Sequence, residues 1–213
     1  QTKIDAVRAL DARVIVAGAD MSAAADHAVG LADETGAYFV NPGEEPAIIH
    51  GHATVYLELL SAHPEIETLY VPVGSGSGAA GAVLVRDAIA PQMRVVAVQA
   101  EGARAAHDSW KSGEIVSRPI DTFAGGLATG TGFRAPQSVL REGLDDFLLV
   151  SDEQIRDAMT LLAGAAHTLA EGAGAASLAG AIEGRLRGDT SIAGLAITGG
   201  NASADEIAQL PRL

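Results

Sequence analysis

The sequence predicts an α/β fold of three layers, a mostly parallel β-sheet between two layers of helices. Three observations lead there. Short apolar runs such as RVIVA (13–17), the run ending VPV (67–73) and RVVAVQ (94–99) alternate with longer stretches of helical spacing. The apolar 48 % of the chain is mostly Ala, Val, Leu and Ile with only 4 % aromatic, which suits helices packed on a sheet buried on both faces. A glycine-rich stretch over 74–81 follows the run that ends in VPV and precedes a helical pattern.

The elements follow in chain order. Residues 3–10 have helical spacing, 13–17 read as a short buried strand, and Gly18-Ala19-Asp20 as a turn. A helix over 22–34 carries Ala23, His27, Leu31 and Ala32 near one stripe, and Tyr38–Val40 forms a second strand closed by Asn41-Pro42-Gly43. Residues 44–53 read as a joint, so the expected domains are 1–50 and 51–213. Beyond it come a helix to Leu60, a strand over 67–73, a glycine-rich turn over 74–81 and a helix to Ala90. A strand over 94–99, a helix over 102–112 and a loop-rich stretch over 113–132 continue the alternation. After the strand 148–150, Ser151 is a good N-cap, with Asp152 and Glu153 in the first turn, where the helix dipole favours acids. Ile155, Met159, Leu162 and Leu169 line that helix; a further helix covers 174–187, and 192–197 is the last strand.

Composition excludes several classes of function. A formal net charge of −13 leaves little basic surface to release counterions from nucleic acid or to approach anionic lipid. Without cysteine there is no disulfide, thiolate metal site or cysteine nucleophile. No apolar run reaches the ~18 residues of a membrane-spanning helix, and the N-terminus lacks the pattern of a signal peptide, so a cytoplasmic protein is expected. The chain begins without Met inside a helical pattern, as a processed or truncated chain would.

The most informative stretch is Val73-Gly74-Ser75-Gly76-Ser77-Gly78-Ala79-Ala80-Gly81, between a strand and a helix. Glycines let the backbone turn tightly and bring bare N–H groups close to an anion, and the helix N-terminus adds partial positive charge. A phosphate is the expected guest, with Ser75 and Ser77 as further donors. Gly76, Gly78 and Gly81 also satisfy the dinucleotide fingerprint, and Glu101 stands where a ribose-binding acid would, so a nicotinamide oxidoreductase is one alternative. A non-catalytic phosphate-binding fragment is another.

Further motifs follow in order: Phe123-Ala124-Gly125-Gly126-Leu127-Ala128, Val150-Ser151-Asp152-Glu153, Glu171-Gly172-Ala173-Gly174-Ala175-Ala176 and Thr198-Gly199-Gly200-Asn201. With the glycine loop first, this series resembles the fold-type-II pyridoxal-phosphate enzymes that include threonine dehydratase, serine dehydratase and serine racemase. The resemblance implies a large cofactor-binding domain preceded by the closing part of a small α/β domain. It implies pyridoxal 5′-phosphate as cofactor, a small amino-acid substrate, and conversion of a hydroxy amino acid such as threonine or serine to a keto acid and ammonia. By matching, Gly74, Ser75, Gly76, Ser77 and Gly78 hold the cofactor phosphate. Thr198, followed by Gly199, faces the pyridine nitrogen with a neutral hydroxyl; Gly126 lies near the cofactor, and Glu171 is an acid near the ring.

The departures matter equally. The family's lysine that holds the cofactor aldehyde has no match: Lys3 and Lys111 are the only lysines. No catalytic residue of the family is therefore expected in this chain, which reads as an incomplete form. The Ser-x-Gly-Asn-His segment of the family is also absent. Gln99 and Ala105 stand where metal-binding relatives carry acids, so no metal site is expected, and Gly125 replaces another acid. His50 and His52 point different ways on a helix. Trp110 reads as a helix cap and Asp145-Asp146 as a solvated turn. An incomplete sheet predicts a homo-oligomer, or association with a missing N-terminal segment, through the strands 67–73 and 192–197.

Overall fold

The structure, a computed structural model, describes residues 2–18 and 21–210. By its contacts the chain divides into two compact units, Gln1–Asn41 and Pro42–Leu213. The first holds helices α1 (Thr2–Arg8) and α2 (Met21–Thr35). Among the described residues neither 13–17 nor 38–40 forms a strand, contrary to expectation. A strand exists only through a ladder, and neither run is part of the sheet among the described residues; Val16 and Tyr38 stand exposed. Ala19 and Asp20 of the expected turn lie outside the described residues.

The second unit opens with α3 (Pro46–Ala62), which starts inside the expected joint. Pro46 fits the first helical position, where its missing N–H costs nothing, and the Glu45 carboxylate caps the Ala47 N–H at 3.1 Å. Then follow β1 (Thr68–Pro72), α4 (Ser77–Ile89), β2 (Arg94–Ala100), α5 (Ala105–Ser112), α6 (Arg134–Gly143), β3 (Asp146–Val150), α7 (Asp152–Ala165), α8 (Gly172–Leu186), β4 (Ala193–Leu195) and α9 (Ala204–Ala208). Short 3₁₀ turns lie at Glu101–Ala103 and Gly125–Leu127. The four strands are parallel in the order β3-β2-β1-β4. Ser151 caps α7 through a full capping box with Gln154.

Alternation along each strand builds the three layers. Leu69, Val71, Val95, Ala97 and Phe147 face one side, against Tyr56 and Leu60 of α3, Val83 of α4 and Leu140 of α6. Tyr70, Val96, Val98, Leu148 and Val150 face the other, against Ile155 and Met159 of α7 and the alanines of α8. β1 is thus an interior strand, with Leu69 and Val71 fully buried, and not the exposed edge expected of 67–73; the short β4 does lie at an edge. Backbones approach closely where glycine allows: a Cβ on Gly81 of α4 would lie 2.8 Å from the Ala53 nitrogen of α3.

The helix α6 has no counterpart in the sequence pattern. Its first turn is capped from afar by Glu44, whose carboxylate accepts from the N–H groups of Arg134 (2.8 Å) and Ala135 (3.0 Å). Trp110 lies within α5, where its indole N–H donates to the Leu140 carbonyl of α6 at 3.0 Å. Asp145 is no free turn residue, since it accepts from Arg86 (2.9 Å) and from the Val95 N–H (2.8 Å).

At the amino ends of the strands, Asp189 accepts from the Ser191 N–H (2.9 Å) and the Tyr70 hydroxyl (2.8 Å) and pairs with Arg94 (3.5 Å). The bonds from Ser191 first, then those from Tyr70 and Arg94, hold its carboxyl down at about 2 against the effect of burial. Burial, and after it the bond to Asp189, pushes the Tyr70 phenol up to about 12. The carboxylate contributes stability that is full above its ordinary value of 3.8 and is lost as pH falls towards 2. The neutral phenol contributes stability that is full below 10 and is lost as pH rises to about 12. Denaturation followed against pH should therefore show a steeper alkaline limb in the native chain than in Tyr70→Phe, and a steeper acid limb than in Asp189→Asn. Identical limbs would mean that both groups are solvated.

Candidate cofactor site

The carboxyl ends of a parallel sheet are where helix N-termini and loops meet, and ligands of such sheets bind there. Three glycine segments converge at that end. Gly74 to Gly78 leave β1 and enter α4, with Gly76 as its N-cap at φ +98°, a conformation that favours glycine. Gly126 lies in the 3₁₀ turn 125–127, and Gly199 follows β4. A Cβ on Gly74 would stand 2.5 Å from the Gly126 carbonyl oxygen, one on Gly126 2.6 Å from the Ala173 Cβ, and one on Gly199 2.5 Å from the Glu171 carboxylate. Side chains at these positions would force the segments apart. The Glu171 N–H also donates to the Gly199 carbonyl at 3.1 Å.

The loop is rich in open donors. Strand bonding ends with the Val73 N–H on the Val98 carbonyl, and helix bonding resumes with the Ala80 N–H on the Gly76 carbonyl. Among the described residues, the N–H groups of 74–79 between them have no acceptor, although Gly76, Ser77 and Ala79 are buried. Such donors at a helix N-terminus call for an anion. The first turn of α4 holds no acidic residue to compete. The hydroxyls of Ser75 and Ser77 lie 3.2 Å apart. A phosphate therefore fits the residues present.

The structure thus brings Gly74, Ser75, Gly76, Ser77, Gly78, Gly126, Glu171 and Gly199 to one end of the sheet, and places Thr198 exposed beside Gly199. Sequence reasoning missed three supports. The Thr129 hydroxyl donates to the Gly74 carbonyl (3.0 Å) and fixes the start of the loop. The Tyr56 hydroxyl would lie 3.5 Å from a Cβ on Gly78, and burial pushes this phenol well above its ordinary value. Asp152 accepts from the Thr122 hydroxyl (2.6 Å) and the Phe123 N–H (3.1 Å), while Arg156 covers the Phe123 ring at 4.2 Å, so α7 anchors the strap that carries Gly126. Only Asp152 had a signal, as a first-turn acid.

Lys111 is not at this site. It ends α5 beside Asp146 and Phe147, at the amino end of β3 and the opposite side of the sheet. Lys3 belongs to the other unit. Glu101 is exposed, and His50 and His52 are exposed on α3. Among the described residues no three His, Asp or Glu side chains gather as metal ligands, and no helix is long and apolar enough to cross a membrane.

A doubly covered parallel sheet with a glycine cradle for a phosphate at its carboxyl ends defines a cofactor-binding α/β enzyme fold. The chain belongs to the family of pyridoxal-phosphate-dependent enzymes, whose family model matches residues 1–197. It is 31 % identical over 206 residues to an L-threonine ammonia-lyase of Geobacter sulfurreducens, covering 96 % of this chain and 51 % of that protein. It is 32 % identical over 205 residues to a serine racemase of Oryza sativa, covering 93 % of this chain and 60 % of that one. The structure of maize serine racemase matches with a TM-score of 0.90 at 29 % identity, over 98 % of this chain and 65 % of that one. The fold is that of the large domain of fold-type-II pyridoxal-phosphate enzymes, within the threonine/serine dehydratase–racemase group. The chain spans about half the length of the ammonia-lyases it matches.

Proposed function

We propose that this chain supplies the phosphate- and ring-holding wall of a pyridoxal-phosphate ammonia-lyase acting on a hydroxy amino acid such as threonine or serine. We further propose that the lysine that holds the cofactor aldehyde comes from polypeptide outside these 213 residues, so that the chain alone is inactive. The observation that carries the reading is the convergence of three glycine segments around the open N–H groups of 74–79.

Each residue has a physical task in this reading. The amides of Gly74 to Gly78 and the hydroxyls of Ser75 and Ser77 donate to phosphate oxygens, with α4 adding the field of its N-terminus. Gly126 and Gly199 let their backbone approach Ala173 and Glu171 closely, and a side chain at either position would push apart the segments that would flank the ring. The Thr198 hydroxyl would serve as a neutral partner for the ring nitrogen and so would not force its protonation. Glu171 stands at the N-cap of α8 beside both glycines, where it presents an acid to the ring. When bound, pyridoxal phosphate supplies an electron sink for the charge left on the substrate α-carbon, and a weak sink suits rapid loss of a β-hydroxyl.

Equilibrium dialysis of the isolated chain tests the reading. Pyridoxal 5′-phosphate should bind, inorganic phosphate should compete, and unphosphorylated pyridoxal should bind ~10-fold or more weakly. Borohydride should trap no stoichiometric adduct at Lys3 or Lys111, and threonine and serine should not turn over. Equal affinity for pyridoxal would remove the phosphate site from the proposal; trapping at one lysine with turnover of threonine would show the site to be complete.

A further inference from the structure

We propose a second ligand site, at the opposite end of the sheet from the glycine cradle, that takes a small planar organic monoanion. It is the pocket lined by His107, Trp110 and Lys111 of α5, Arg141 of α6, and Asp146 and Phe147 of β3, with a volume of about 550 Å³. That lies within the range of roughly 300–1,000 Å³ common for small-molecule sites.

Its wall is aromatic. The Phe147 ring stands edge-on to His107 at 5.4 Å and tilted against Trp110 at 5.8 Å. The cluster is held in place from behind. The Trp110 indole N–H is fixed on the Leu140 carbonyl, and the His107 ring bonds Asp108 at 2.9 Å while its backbone N–H donates to the Gln99 side chain. His107 and Phe147 are nearly buried and brace Trp110, the half-buried ring that a flat apolar body would meet.

Its rim is cationic. In a chain of net charge −13, Arg8, Arg86, Arg94, Arg104, Arg118 and Arg187 all pair with carboxylates. Lys111 and Arg141, like Arg134, Arg156 and Arg185, have no such partner among the described residues, but these two meet at one pocket. Each ends a helix, where a cation offsets the dipole. That accounts for a positive residue at each position but not for their meeting over an aromatic wall. The one acid in the lining, Asp146, accepts from the Phe147 N–H at 2.8 Å. Its charge opposes a bare multivalent anion, so an arene carboxylate fits better than inorganic phosphate.

Trp110 is the only tryptophan, so its fluorescence reads the pocket directly. The full chain should be titrated with 4-nitrobenzoate as quencher, with 4-nitrobenzyl alcohol as the neutral control and inorganic phosphate as competitor. The proposal expects saturable quenching by the carboxylate, with affinity lowered about fivefold in Lys111→Met and in Arg141→Met, and little competition by phosphate. Far-ultraviolet circular dichroism of both variants should match the parent. Non-saturable quenching, equal binding of the alcohol, full competition by phosphate, or unchanged affinity in both well-folded variants would each overturn it. None of these readouts depends on the cofactor cradle, so failure here leaves that reading standing.

Discussion

Arg86→Met should lower the free energy of unfolding by about 3 kcal/mol, measured by urea denaturation with circular dichroism. The guanidinium is nearly enclosed and joins four elements. It donates to the Met93 carbonyl before β2 (3.2 Å), to the Gly143 carbonyl at the end of α6 (2.5 Å), to Asp145 before β3 (2.9 Å) and to Asp87 on its own helix (2.6 Å). Methionine fills the aliphatic volume but satisfies none of these acceptors, and unmade bonds to buried groups are what cost most. The pair with Asp87 contributes little, since that carboxylate is 59 % exposed. Asp145 is 34 % exposed, so water compensates in part and the loss should fall at the lower end of the ~3–5 kcal/mol typical of broken buried pairs. Asp145→Asn, which keeps an acceptor for both Arg86 and the Val95 N–H, should cost less than half as much. A loss below ~1 kcal/mol in Arg86→Met would show that solvent already reaches the cluster.

Gly174→Ala should be as damaging, for a different reason. A Cβ there would run into the carbonyl oxygen of Gly199 and lie 2.9 Å from its nitrogen. Both obstacles are backbone, so no rotamer change relieves them. The first turn of α8 must then part from the loop after β4, at about 3 kcal/mol or roughly 6–12 °C in Tm. Because the same movement displaces Gly199 and Glu171, binding of pyridoxal 5′-phosphate should weaken along with stability. Gly51→Ala is the control. It lies in the interior of α3 with no atom within 4 Å of an added Cβ, and should be neutral or stabilising by ~0.5 kcal/mol. A Gly174→Ala protein that melts with the parent would mean that the helix and the loop are not in firm contact.

The alternation that revealed the sheet was legible because a strand buried on both faces needs an unbroken apolar run, as in Thr68–Pro72 and Arg94–Ala100. The same signal misled at 13–17 and 38–40, because a run of β-branched or aromatic residues carries no information about its partner. α6 was missed because its start signal, Glu44, lies 90 residues away in sequence, and because RAPQSVLREG shows one apolar stripe too thin to separate from loop. The glycine loop was readable as a local motif. That Gly126, Gly174 and Gly199 are needed for close approach was not, since the requirement lies in what each one touches. Asp145 read as a solvated turn because its partner, Arg86, is 59 residues distant.

The order β3-β2-β1-β4 also bears on how the chain reaches its fold. β1 and β2 are joined by α4 alone, a short crossover that can form early. β4 must return across the sequence to pair with β1, in a contact between Glu67 and Ile192 that spans 125 residues. Closing so long a loop carries an entropy that is recovered only after the intervening helices have packed. By this argument the glycine loop should assemble early and Gly199 should dock late. A ligand that touches both is a clasp on a late step, and its absence should be felt as faster undocking of the last strand more than as slower folding of the first two.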